Sequence, residues 1–386
     1  MNTILKINLL ILALPFCINA TELKEKKETP SALVTRINEH RDACLREHLI
    51  PNLARLVQEY DPIQDKWECE RTLEGHTYGV ISVCLLPGNK LASASQDNTI
   101  KIWDLNSGKC EQTLEDHKVR SVCALPDNKL ASVSWGETTK IIKIWNLTSG
   151  KCEQTLTGHE DSVNSVCALP GNKLASASAD KTIRIWDLTL NKCTTVLESD
   201  TQVDSVCSVS LGNKLAYTTQ DGKIRIWDLN SNKCIIALRT GRVESMCVLP
   251  GNKLASSAGR IIIIWNLTLS DEAPAKSDSG KCEVALQSDA ILILKICSLP
   301  GNKLASSYRT SGIIEIWDLN KRQVTTSLEG HKGQPTSLCA SPENKLISAS
   351  FDKTIKIWSN PVITSGPTDE EFLKFMHEKE SWVTQK

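Results

Sequence analysis

The sequence lacks a net charge of either sign, because 45 Lys and Arg residues balance 45 Asp and Glu residues over 386 positions. A balanced chain has no global field that draws it to phosphate backbones, so specific nucleic-acid binding is not expected. The sequence also has no Cys-x-x-Cys pair among its 15 cysteines, which argues against a zinc site. No metal and no cofactor are therefore expected.

Long apolar runs are missing except near the N-terminus, where Leu9 to Ile18 are almost all hydrophobic. This run follows Lys6 and ends near Ala20, the pattern of a secretory signal. It is too short to cross a bilayer comfortably, so no transmembrane span is expected. Residues 1–20 are predicted to be a signal peptide and the protein to be exported. The alternative is a cytoplasmic protein with an uncleaved apolar segment.

A repeat dominates the rest of the chain, since a tryptophan ends an Ile-rich run about every 40 residues. These tryptophans are Trp103, Trp145, Trp186, Trp227, Trp265, Trp317 and Trp358. Within each repeat, short runs rich in Val, Ile, Leu, Cys, Ser and Thr are bounded by Gly, Pro, Asn or Asp, which indicates four strands and tight turns. No stretch between the repeats is long or periodic enough for a helix.

A four-stranded unit cannot bury both of its faces alone. Seven such units arranged in a circle bury each face against a neighbour and leave only short edges. The repeat therefore predicts an all-β protein, a seven-bladed β-propeller of four-stranded blades over residues 67–360.

The order Gly-His, Ser-x-Asp and Ile-Trp-Asp recurs from about residue 67 to residue 358. In this pattern the chain resembles the WD40 repeat family, whose fold is a β-propeller. The resemblance implies that the first strand of each repeat is outermost on the preceding blade. Glu68 to Leu73 would then close the ring beside Lys356 to Trp358.

The resemblance also implies a buried hydrogen-bonded set of His, Ser, Asp and Trp in each blade. Carried over by position, three blades have complete sets: His76, Ser95, Asp97 and Trp103 in blade 1; His159, Ser178, Asp180 and Trp186 in blade 3; and His331, Ser350, Asp352 and Trp358 in blade 7. The other four blades lack one or more members of this set. Because the His and Asp residues recur with the blade period, each set is interpreted as structural, and no separate cluster suggests catalysis.

Most cysteines also follow the repeat. Seven cysteines lie just before the Leu-Pro type turn of their repeat: Cys84, Cys123, Cys167, Cys207, Cys247, Cys297 and Cys339. Six cysteines lie at the start of the outer strand: Cys69, Cys110, Cys152, Cys193, Cys234 and Cys282. Repetition of one strand position favours packing as a small hydrophobe. Lysines likewise recur in the turns of one face, called the bottom here. They indicate either an anion-attracting ring or one solvated turn copied seven times, and the second interpretation is favoured.

The opposite face, called the top, varies between blades. In the family, the residue before the repeated Asp faces solvent and often contacts partners, and the pattern places Gln96, Trp135, Tyr308 and Phe351, among others, at this position. With Tyr78 in a top turn, Tyr308, Phe351 and Trp135 predict an aromatic arc that binds a protein or peptide partner. The alternative for Trp135 is an inward position that fills blade 2.

The chain ends outside the ring are assigned separately. Residues 21–66 are predicted to be a linker and a short helical segment, and residues 361–386 a tail with a helix. Within residues 31–66, the stretch from Leu49 to Tyr60 resembles part of the F-box of ubiquitin-ligase substrate receptors, although a simple docking helix is the favoured interpretation. The predicted function is a non-catalytic interaction scaffold, not an enzyme; the alternative is an F-box-like receptor that docks an adaptor through residues 31–66.

Overall fold

The computed structural model of the chain describes residues 67–115, 118–134, 140–209, 213–267, 281–289 and 292–360. The predicted signal peptide, the segment 21–66 and the tail 361–386 lie outside these residues, as do His117 and Trp135. Residues Asp65–Asn360 group as one compact unit.

The described chain forms 28 strands. In chain order the first half are β1 (Glu68–Leu73), β2 (Val80–Leu86), β3 (Lys90–Ser95), β4 (Thr99–Asp104), β5 (Cys110–Glu115), β6 (Val119–Leu125), β7 (Lys129–Ser134), β8 (Ile142–Asn146), β9 (Lys151–Leu156), β10 (Val163–Leu169), β11 (Lys173–Ser178), β12 (Thr182–Asp187), β13 (Lys192–Glu198) and β14 (Val203–Val209). The second half are β15 (Lys214–Thr219), β16 (Lys223–Asp228), β17 (Lys233–Arg239), β18 (Ser245–Leu249), β19 (Lys253–Ala258), β20 (Ile261–Asn266), β21 (Lys281–Gln287), β22 (Ile293–Leu299), β23 (Lys303–Tyr308), β24 (Ile314–Asp318), β25 (Gln323–Leu328), β26 (Pro335–Ala340), β27 (Lys345–Ser350) and β28 (Ile355–Ser359).

These strands form seven four-stranded antiparallel sheets, which are the predicted blades. Blades 1 to 6 each use four consecutive strands, from β2–β5 to β22–β25. Blade 7 combines β26, β27 and β28 with β1 from the other end of the ring. The pairing aligns Leu73 with Ile355 and Glu68 with Ser359. The predicted closure is therefore confirmed, and it covers the edge of β28 that would otherwise be unpaired.

Tight turns at the bottom explain why neighbouring strands fold back on each other. Between β10 and β11, Gly171 and Asn172 both have positive φ, at 76° and 56°. Two successive residues with positive φ form the hairpin turn that matches strand twist, and Gly and Asn adopt this conformation at least cost. The same turn recurs in other blades, as at Gly88 and Asn89.

The hydrophobic core lies between blades. One cluster joins Ile100 and Ile102 of blade 1 to Val122 and Trp145 of blade 2, and six similar clusters occur around the described ring. Each buried aliphatic side chain contributes about 1.5–3 kcal/mol. Stability therefore comes from stacking each blade on the next, which holds the loops of the two faces in fixed positions.

Candidate functional site

The top face is supported by a hydrogen-bonded network inside the blades, shown most fully in blade 3. Asp180 accepts hydrogen bonds from His159 Nδ1 at 2.7 Å and from Thr182 Oγ1 at 2.6 Å. His159 Nε2 lies 2.7 Å from Ser176 Oγ, and Trp186 Nε1 donates to the same oxygen at 2.8 Å. Since Nδ1 carries the proton toward the carboxylate, Nε2 accepts from the Ser176 hydroxyl. The network thus runs from tryptophan to the top turn.

The same geometry recurs in blades 1 and 7. The His Nδ1 to Asp distance is 2.8 Å in both, between His76 and Asp97 and between His331 and Asp352. Burial lowers the pKa of His76, with the Asp97 hydrogen bond opposing it, which favours the neutral ring. Each Asp also binds the backbone N–H after the His and so fixes the top turn.

The serine assigned to each network from the sequence is wrong by two positions. The bridging residues are Ser93, Ser176 and Ser348, whereas Ser95, Ser178 and Ser350 were predicted. The predicted serines lie at the ends of their strands and hold the top turn instead. Ser178 Oγ, for example, donates to the Asp161 carbonyl and accepts from Asp180 N, both at 3.1 Å.

Strand register gives the physical reason. Ser176 lies opposite Val166 in the middle of the strand pair, at the level of the indole nitrogen of Trp186, whereas Ser178 lies opposite Val163 at the strand end. The sequence carried a signal for this, because the middle position is serine in six of seven repeats: Ser93, Ser132, Ser176, Ser256, Ser306 and Ser348. In all six blades the tryptophan donates to that serine.

Blade 4 departs from this rule. Tyr217 takes the place of the bridging serine and is 1% exposed. Trp227 is only half-buried, and its Nε1 donates to Asn232 Oδ1 at 3.3 Å near the bottom. Arg225 donates to Thr219 Oγ1 at 2.8 Å on the top side. The bulk of Tyr217 therefore excludes the tryptophan from the position it occupies elsewhere.

Blade 6 corrects a second prediction, the exposed role of Tyr308. This side chain is 2% exposed, and its hydroxyl lies 3.1 Å from Ser306 Oγ and 3.0 Å from Ser288 Oγ. It also donates to Glu315. Tyr308 thus replaces the histidine of the network. Tyr308 is the last residue of β23, just as Ser350 is the last residue of β27. The residue of blade 6 that is equivalent to Phe351 at the rim is therefore the next one, Arg309.

Two predicted aromatic residues are exposed at the top and lie close together. Tyr78 is 61% exposed and Phe351 is 43% exposed. Phe351 packs on Gly79, where an added Cβ would lie 2.6 Å from the phenyl ring and 3.4 Å from the side chain of Gln96. Lys353 Nζ lies 5.8 Å from the centre of the Tyr78 ring. We call Tyr78, Gln96, Phe351 and Lys353 the rim patch; it spans blades 7 and 1.

Four of the bottom lysines form ion pairs. Lys90 lies 2.7 Å from Glu111, and equivalent ion pairs join Lys129 to Glu153, Lys253 to Glu283, and Lys345 to Glu70. Each glutamate is on the outer strand of the same blade. The charges of these four lysines are neutralised locally, which favours the solvated-turn interpretation over an anion-attracting ring.

The cysteines also divide by position. Those on the inner strands are partly buried, and desolvation raises the pKa of Cys123 to about 11 and of Cys207 to about 12. Those on the outer strands are more exposed, and Cys110 Sγ donates to the Gln112 carbonyl at 3.4 Å. Within the described ranges, no group of His, Cys, Asp and Glu is arranged to hold a metal ion, and no helix has the length and apolar character to cross a membrane.

The fold, the blade network and its repeat agree with a comparison against protein families. The family model for "WD domain, G-beta repeat" matches residues 67–104, 108–146, 150–187, 191–228 and 322–359. The chain belongs to the WD40 repeat family. The stretch between residues 228 and 322, which the family model does not match, contains the blades whose His and Asp network members are missing.

Similar curated proteins share only short segments with this WD40 chain. It is 46% identical over 55 residues to coatomer subunit beta' of Homo sapiens and of Rattus norvegicus, which is 14% of this chain and 6% of each relative. It is 42% identical over 66 residues to nuclear distribution protein PAC1 of Coccidioides posadasii, covering 15% of this chain and 14% of that protein. The chain therefore aligns with a small part of these relatives.

Proposed function

We propose that this WD40 propeller is a non-catalytic scaffold that binds a protein or peptide partner at the rim patch. The observation that carries the proposal is the exposure of Tyr78 and Phe351 side by side on the top face. The chain has only four Phe and four Tyr residues, so two exposed together are a concentrated apolar feature. Aromatic anchors of this kind supply most of the energy at protein interfaces.

The rim patch is also rigidly supported. Tyr78 follows the His76 turn of blade 1, and Phe351 precedes Asp352 of blade 7, so both belong to turns fixed by complete networks. Gly79 lets the Phe351 ring lie directly on the blade 1 backbone. A surface that is ordered before binding loses less entropy in the complex, which favours affinity.

The other parts of the predicted arc contribute less to this proposal. Tyr308 is buried in blade 6, and Trp135 lies outside the described residues. The alternative of an adaptor-docking receptor concerns residues 31–66, also outside the described residues, and no described feature favours it. The rim patch therefore replaces the four-residue arc as the proposed binding surface.

Replacing Tyr78 and Phe351 together by serine is expected to reduce partner capture by at least about tenfold, because each buried aromatic anchor is worth about 2 kcal/mol. The measurement is affinity capture with the full chain, quantified by mass spectrometry. The matched control is Leu190→Ser, which removes an apolar side chain that is 58% exposed in a bottom turn. Equal capture by the double variant and the wild type would refute the proposal, as would an equal loss with the control.

A further inference from the structure

Two exposed lysines lie beside Phe351 on the top face. Lys353 belongs to the same turn as Phe351, and its Nζ lies 5.8 Å from the centre of the Tyr78 ring on blade 1. Lys332 is held against this turn from the His turn of blade 7, because its backbone N–H donates to Asp352 Oδ2 at 2.8 Å. The two aromatic side chains of the rim patch are therefore accompanied by two ammonium groups.

The carboxylates of these turns do not neutralise the two lysines. Asp97 and Asp352 accept hydrogen bonds inside the blade networks, and their side chains are only 6% and 10% exposed. The exposed residues Glu74 and Glu329 follow the outer strands β1 and β25. Within the residues that the structure describes, neither lysine forms an ion pair. The exposed aromatic surface thus has cationic groups that are available to a partner.

Blade 3, which also has a complete network, has the opposite charge in its His turn. Glu160 takes the place of Lys332, since the backbone N–H of each residue donates to the network Asp. Asp161 follows Glu160, whereas a glycine follows Lys332. The single lysine of the Asp turn in blade 3, Lys181, is therefore accompanied by two carboxylates. Blade 3 also has alanine where blade 7 has its exposed phenylalanine, so the apolar anchor and the unpaired positive charge occur together in blade 7.

We infer that the rim patch binds an acidic peptide segment of its partner. A hydrophobic side chain of this segment packs on Tyr78 and Phe351, and adjacent Asp or Glu side chains pair with the two lysines. The inference rests on the proposed function, because it names the chemistry of the partner at the same surface. Charge complementarity around an apolar anchor speeds association and disfavours basic partners, while each solvent-exposed ion pair adds only modest affinity.

The test is selection from a random-sequence peptide display library on the full chain. The reference is the double variant Tyr78→Ser with Phe351→Ser, which defines binding at the rim patch. Peptides that bind the wild type and not this variant are expected to have Asp or Glu beside an aromatic or aliphatic residue. Fluorescence anisotropy then measures the affinity of the most enriched peptide for the wild type and for the lysine variants.

Lys332→Thr combined with Lys353→Asn introduces the equivalent residues of blade 1, Thr77 and Asn98. The backbone φ is 73° at Lys353 and 65° at Asn98, in the left-handed region that asparagine tolerates, so the turn is expected to be retained. Loss of two exposed ion pairs is expected to weaken binding by about three- to tenfold at low salt, and by less at high salt. The matched control is Lys181→Asn, the same change in the Asp turn of blade 3, which should leave the affinity unchanged.

The possible failures of the two proposals differ. If the peptides that require Tyr78 and Phe351 are mainly neutral or basic, the inference is overturned and the proposed function stands. The same holds if an acidic peptide binds the combined Lys332→Thr and Lys353→Asn variant with unchanged affinity. If no selected peptide depends on the two aromatic residues, the rim patch itself fails as a binding surface, and both proposals are wrong.

Discussion

Replacing Trp186 by alanine is expected to lower the free energy of unfolding by about 3–5 kcal/mol, the range for a large aromatic side chain removed from a packed core. Trp186 is 2% exposed, packs in the core between blades 2 and 3, and donates to Ser176. The substitution therefore removes apolar burial and one member of the blade network together. Urea denaturation followed by circular dichroism measures the change.

Trp227→Ala is the matched control, one blade further along the chain. Trp227 occupies the same sequence position but is half-buried, and its indole N–H donates to Asn232 near the bottom. Its replacement is expected to cost less than half as much as Trp186→Ala. Equal losses in the free energy of unfolding would show that the two tryptophans are packed alike, and would contradict the displacement of Trp227 by Tyr217.

Replacing Asp180 by asparagine is expected to cost about 3 kcal/mol, because it removes a charged acceptor from a nearly buried network. Asp180 accepts from His159, from Thr182 and from the backbone of Glu160. The asparagine amide has one oxygen that can still accept a hydrogen bond. Its NH₂ group is a donor and would face another donor at one of these contacts, so that hydrogen bond would be lost. Asp187→Asn is the control, since the equivalent turn residues in blades 2 and 5 are Asn146 and Asn266.

The pH dependence provides a second test of Asp180. Burial alone would raise its pKa, but hydrogen bonds from His159, Thr182 and Glu160 N outweigh it and lower the pKa below the ordinary 3.8. A lowered folded pKa contributes stability above pH about 4, and this contribution is lost as the pH falls through the folded value. Wild type should therefore lose more stability than Asp180→Asn below pH 4. Parallel curves would contradict the assignment.

The sequence predicted the blades well because the information was periodic. A tryptophan about every 40 residues and Gly-Asn turns set the strand order, and the pairing of β1 with β28 followed from the resemblance to the WD40 family. Local detail was harder to predict. Two serines lie two residues apart on the same strand face, so spacing alone could not decide whether Ser176 or Ser178 lies level with the Trp186 ring.

The errors in the candidate site have a similar origin. In blade 6 the segment after β23 departs from the Ser-x-Asp pattern. Tyr308 was therefore assigned to the exposed rim position, which is one residue after its true position at the end of the strand. In blade 4 the large side chain of Tyr217 displaces Trp227. The Ile-Trp-Asp motif is the same as in other blades, so the motif alone does not indicate this difference.

The closed ring depends on the pairing of β1 with β28, and cross-strand backbone NOEs between these two strands test it most directly. Thr72 pairs with Lys356, and Cys69 pairs with Trp358. In a perdeuterated, selectively labelled sample of the full chain, NOEs are expected between the backbones of both pairs. Their absence, or NOEs from β28 to a different strand in place of β1, would contradict the closed seven-bladed ring.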